Sequence, residues 1–115
     1  MKVTIFHNPG CSNSRGALDI LRAAGIEPTI IEYLHTPPSA IELKRLLSAM
    51  QMPARDLLRE KEAEYAVLGL GDAKWTEAEL IDFMAAHPVL INRPIVEAAK
   101  GVRLCRPPEI VHEII

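Results

Sequence analysis

The chain has 115 residues, a formal net charge of −2, 49% hydrophobic and 24% charged residues, enough for one domain that buries a core without disulfides or metals. Like charges form no block or tail, which excludes the basic face that non-specific nucleic-acid binding needs. Aromatic residues are only 4%, so the core has to be built from Leu, Ile, Val, Ala and Met.

The first apolar run, residues 3–6 after Lys2, is β-branched and ends at Asn8-Pro9-Gly10, which predicts a strand leading into a turn. It is too short for a signal-peptide core or a membrane span, so a cytoplasmic protein without membrane association is expected. Over residues 12–24, Ala17, Leu18, Leu21 and Ala24 fall on one helical face, and Gly25 stops the helix. "TIIEYL", residues 29–34, predicts a second strand, parallel to the first through a right-handed crossover. Pro37-Pro38 followed by Ser39-Ala40-Ile41-Glu42 is a capping-box signature, and Leu43, Leu46, Leu47 and Met50 form the stripe of the helix it opens. Residues 53–70 read as one or two short helices. Thr76 and Glu79 open another helix, with Leu80, Ile81 and Met84 inside and His87-Pro88 as its stop. "VLINRPIV" (89–96), a Lys100-Gly101 turn and "VRLCR" (102–106) predict a hairpin, and "PPEIVHEII" (107–115) a closing helix with Pro107 and Pro108 near its start.

The order βαβ, helical block, ββα predicts an α/β fold: a thioredoxin-like, four-stranded mixed sheet in a single domain, 1–115, with a helical insertion at about 39–87. In that architecture the proline before the third strand is commonly cis and faces the reactive thiol. Pro94 occupies the place and is expected to form the cleft.

Cys11 sits where the first turn gives way to a helix, and backbone N–H groups with the helix dipole favour thiolate there. Thiolate is the nucleophilic form. His7 is a candidate to add positive charge or take the proton, with a structural hydrogen bond as the other reading. Arg15, one helical turn on, projects from the same face as Cys11, and by itself it also reads as a solvated charge. Ser14 decides the reaction type, because it stands where a dithiol motif would carry its second cysteine. An oxidised Cys11 must then be relieved by an external thiol such as glutathione or glutaredoxin. Cys105, the other of the two cysteines, lies in a predicted strand and reads as a packed core residue. Both are expected to be reduced, and neither has metal-ligand spacing.

Three more arginines are placed to face the thiol: Arg59 in "LLRE", Arg93 just before Pro94, and Arg106 just after Cys105. A guanidinium grips a tetrahedral oxyanion through a two-bond fork and stays charged. Singly, each also reads as a surface charge; Arg93 stands out because the residue before such a proline points into the cleft. Arg103 is expected on the opposite face, solvated.

Together, His7-Asn8-Pro9-Gly10-Cys11 with Ser14-Arg15, Leu57-Leu58-Arg59, residues 88–96 and residues 103–111 resemble the glutaredoxin-coupled arsenate reductase family over essentially the whole chain. The resemblance implies that Cys11 attacks arsenate to give a thioarsenate adduct, that glutathione attacks the adduct, and that glutaredoxin resolves the mixed disulfide as arsenite leaves. It also implies that Arg59, Arg93 and Arg106, with Arg15 beside them, hold the oxyanion and that His7 depresses the Cys11 pKa. No bound cofactor is expected; glutathione is a co-substrate, glutaredoxin the partner, and the chain a monomer.

Two rivals share the fold: a glutathione-dependent thiol transferase, against which Arg93 speaks for an anion, and a non-enzymatic, RNA-polymerase-binding redox regulator, against which Ser14 speaks. A phosphatase-type loop is excluded, because the arginine it needs six residues after the cysteine is Ala17.

Overall fold

The computed structural model describes residues 2–115. They divide into two units, one made of the residues as far as Thr36 together with Arg93–Ile115, the other of Pro37–Asn92. The expected insertion lies inside the second.

In the first unit, β1 (Thr4–His7) is followed by α1 (Ser12–Ala23) and β2 (Thr29–Glu32), and after the second unit come β3 (Ile95–Ala98) and β4 (Gly101–Leu104). The sheet is mixed, in the order β2-β1-β3-β4. β1 runs parallel to β2, Ile5 opposite Ile30, and antiparallel to β3, Ile5 opposite Val96. The β3–β4 hairpin turns between Ala98 and Gly101. Together these elements form the four-stranded, thioredoxin-like α/β sheet that the element order predicted.

Ile5, Ala17, Leu18, Leu21, Val96, Cys105, Val111 and Ile114 share one buried cluster, so α1 and the last segment cover the same face of the sheet. α1 stops because Gly25 takes a left-handed φ of +79°. There the Gly25 N–H donates to the Arg22 carbonyl at 3.0 Å and the Ile26 N–H to Leu21 at 2.9 Å, the paired bonds of a Schellman ending.

Three elements differ from expectation. The closing segment is a 3₁₀ helix, Pro108–Glu113, rather than an α-helix; at its two ends the Ile110 N–H donates to the Pro107 carbonyl at 3.2 Å and the Ile114 N–H to the Val111 carbonyl at 3.1 Å, the i→i+3 bonds of short helical segments. "VLINRPIV" is strand only from Ile95; Pro88–Leu90 is a 3₁₀ turn and Ile91 makes an isolated bridge to Leu58. Pro94 has no N–H for a ladder. The Arg93–Pro94 bond is cis, and so is Arg106–Pro107, which no sequence signal marked.

In the second unit, α2 (Ala40–Met50) buries Leu43, Leu46 and Leu47, and α5 (Glu77–Ala86) buries Leu80, Ile81 and Met84. Between them lie two short helices, α3 (Ala54–Leu57) and α4 (Ala63–Val67). Both predicted caps form: the Ser39 hydroxyl accepts from the Glu42 N–H at 3.1 Å, and Thr76 and Glu79 bond reciprocally at 3.2 and 3.0 Å. The Glu77 carboxylate accepts from the Ala54 N–H at 2.8 Å, tying α3 to α5.

Candidate functional site

β1 ends in a tight turn in which the Cys11 N–H donates to the Asn8 carbonyl at 3.0 Å and the Gly10 N–H to the Asn8 side chain at 2.9 Å. Cys11 is the N-cap of α1, extended at φ −102°, ψ 124°, with no side-chain capping hydrogen bond, so the first-turn amides are left free beside its sulfur. Only 6% of the residue is exposed. Burial alone would raise the thiol pKa. The Ser14 N–H, the Arg93 charge, the Asn13 N–H and the Arg106 side chain outweigh it, so the net shift is downward. Each of those groups favours the charged sulfur.

Arg106 reaches across from the end of β4. Its Nη1 lies 3.7 Å from the Cys11 sulfur and donates to the Arg93 carbonyl at 3.0 Å. The loop that carries Pro94 is fixed to the same strand end, the Cys105 N–H donating to the Pro94 carbonyl at 2.9 Å. Cys11, Arg93 and Arg106 are thus brought together around one sulfur by three separate stretches of chain. A thiolate beside two guanidinium groups is equipped to attack an anionic electrophile and to neutralise the charge it brings.

The other candidates stand differently. His7 is buried, and its Nδ1 lies 2.6 Å from the Ser14 hydroxyl oxygen, which also accepts from the Asn8 N–H at 3.0 Å. Burial, then the charges of Arg22 and Arg15, lower the His7 pKa against the opposing pull of Glu32. Desolvation disfavours the imidazolium, which supports the structural hydrogen bond to Ser14 over a charge on His7. Ser14, read from sequence only as a missing thiol, is fully buried and joins His7 to the turn before Cys11. A serine in the first turn of a helix is too common a signal to have marked it. Arg15 is exposed, with its Nη1 donating to the Pro9 carbonyl at 2.8 Å, so it braces the turn.

Arg59 belongs to the second unit. There its Nη2 pairs with Glu62 at 2.7 Å, its Nη1 donates to the Val89 carbonyl at 3.4 Å, and the side chain is 19% exposed. Cys105 is fully buried, and burial followed by the Glu113 charge pushes its thiol up to about 12. It is a packed, protonated core cysteine, as its strand position suggested. Arg103, expected to be solvated, is half-buried and pairs with Glu113 at 3.3 Å. Among the described residues no group of three or more His, Cys, Asp or Glu could hold a metal, and no helix is long and apolar enough to cross a membrane.

A β2-β1-β3-β4 sheet with a cysteine at the start of α1 and a cis proline before β3 defines a thioredoxin-like α/β protein with a single activated thiol. The family model described as ArsC family matches residues 6–114, and the chain belongs to that family. An arsenate reductase of Rhizobium meliloti (strain 1021) is 51% identical over 100% of this chain and 82% of its own. One of Escherichia coli (strain K12) is 52% identical over 98% of this chain and 80% of its own. Among solved structures, an arsenate reductase from Vibrio cholerae superposes with a TM-score of 0.96 at 46% identity, covering 100% of this chain and 98% of that one.

Proposed function

We propose that the chain is a cytoplasmic arsenate reductase that works through Cys11 and two external thiols. The Cys11 thiolate attacks the arsenic of arsenate and expels one oxygen as water, leaving a sulfur–arsenic(V) bond. Glutathione sulfur then attacks Cys11 sulfur. The electron pair of the sulfur–arsenic bond passes to arsenic, which leaves as arsenite, and a Cys11–glutathione disulfide remains. A glutaredoxin thiolate attacks the glutathione sulfur of that disulfide and returns Cys11 as thiolate. Two electrons pass from thiols to arsenic in each cycle.

The observation that carries this reading is the sulfur of Cys11 at the start of α1 with Arg106 Nη1 at 3.7 Å, and a thiol pKa shifted downward by the Ser14 and Asn13 N–H groups and the Arg93 charge. Arg93 and Arg106 are assigned to the oxyanion, which reaches the thiolate as a second negative charge and needs both. His7 acts through Ser14, and Pro94 shapes the cleft wall. The high pKa and full burial of Cys105 support external rather than internal resolution.

The test is NADPH oxidation in a coupled assay holding arsenate, glutathione, glutaredoxin and glutathione reductase. Arsenate-dependent turnover that Cys11→Ser abolishes is expected. Turnover with a glutathione mixed disulfide but none with arsenate would replace this reading with a thiol transferase.

A further inference from the structure

The fifth residue of α1 is Gly16. Glycine inside a helix is less favourable than alanine, and an isolated one asks for a reason. Its own backbone gives none, since among the described residues the glycines of positive φ are Gly25, Gly69 and Gly101. The reason lies across the interface with the closing 3₁₀ helix. A Cβ on Gly16 would stand 2.9 Å from Cγ and 3.2 Å from Cβ of Pro108, inside the roughly 3.5–4.0 Å at which carbon atoms rest against each other.

Pro108 cannot swing aside as a flexible side chain would, because its ring is closed on the backbone. It opens a helix that Val111 and Ile114 anchor in the same core cluster as Ala17 and Leu21 of α1. Immediately before it stand Pro107 and Arg106, and the ring-locked φ of each proline makes the link a stiff one. A displacement of Pro108 away from α1 is therefore handed to Arg106, whose Nη1 is held between the Arg93 carbonyl at 3.0 Å and the Cys11 sulfur at 3.7 Å. Cys11 moves with α1, on which Gly16 lies, whereas Arg106 moves with Pro108.

We propose that Gly16 is a positioning residue for the thiol site: its missing Cβ lets Pro108 seat against α1 at the depth that brings the Arg106 guanidinium to the Cys11 sulfur. The proposal rests on Cys11 being the reacting sulfur. It concerns how that sulfur is held charged, so its test needs no arsenate and can fail while the arsenate reading stands.

The measurement is the rate of Cys11 alkylation by iodoacetamide against pH, which follows the thiolate directly. In Gly16→Ala the midpoint rises by about half a unit, so alkylation on the acid side slows about threefold. Asp19→Ala, on the exposed side of α1, stays at the wild-type midpoint. The double variant Gly16→Ala/Pro108→Ala, which loses the 2.9 Å contact and keeps the 3.2 Å one, falls between wild type and Gly16→Ala. A wild-type midpoint in Gly16→Ala overturns the proposal. If Gly16→Ala does not fold, the double variant against Pro108→Ala carries the same test, and equal midpoints overturn it.

Discussion

The sulfur of Cys11 is pulled two ways: burial favours the neutral thiol, while helix amides and two guanidinium groups favour the anion, and the net shift is downward. Its alkylation midpoint in the folded protein is expected below the free value of about 8.5; a midpoint at or above that value would remove the helix-start argument. A thiol with a depressed folded pKa adds stability as pH rises from that pKa toward the unfolded value, because the unfolded chain then holds the extra proton. Cys105 has the opposite sign. With its folded pKa near 12, its contribution is whole below the unfolded value of about 8.5 and declines as pH rises above it. Urea unfolding of Cys105→Ala from pH 8 to pH 10 should therefore show a shallower loss of stability than wild type, with kcat unchanged at neutral pH. A tenfold fall in kcat would make Cys105 a resolving thiol. For Arg93→Lys, a point charge replaces a fork, and kcat/KM for arsenate should drop at least about tenfold; wild-type kinetics would mean that Arg93 does not touch the anion. Cys11, Arg93 and Arg106 were legible because proline, glycine and strand-end signals lie next to them in the chain. The His7–Ser14 bond and the downward pKa shift of His7 were not, since both depend on burial, which only tertiary packing sets.

α1 carries the thiol, and each end of it has its own logic. Its start leaves amides free for the sulfur, and its end is closed by Gly25, where a Cβ would meet nothing within 4 Å. The penalty for Gly25→Ala is then purely one of backbone conformation, about 1–2 kcal/mol at positive φ. Chemical denaturation should report a loss of that size with Cys11 alkylation unchanged; no loss would mean the helix ends another way. Capping residues and hydrophobic stripes made α1, α2 and α5 readable to within a residue or so, because those signals are local. The 3₁₀ form of the closing helix and the late start of β3 were less readable. At β3 the proline withholds a ladder N–H, and the closing segment is so short that its i→i+3 form carries no strong local sequence signal.

For the whole molecule, the βαβ…ββα order was enough to give the sheet, because short connections and right-handed crossovers leave few topologies. The extent of the second unit, Pro37–Asn92, was harder to see: the bridge between Leu58 and Ile91 and the Asn92 N–H donating to the Leu57 carbonyl at 2.8 Å extend it past the last helix. In the proposed function a single sulfur, that of Cys11, takes the oxyanion and a thiol from outside releases it. The direct measurement is intact-mass and peptide mass spectrometry after incubation with arsenate and glutathione, with glutaredoxin withheld. The account predicts one arsenate-dependent glutathione adduct, on the peptide containing Cys11. A Cys11–Cys105 disulfide, or an adduct that forms equally without arsenate, would contradict it.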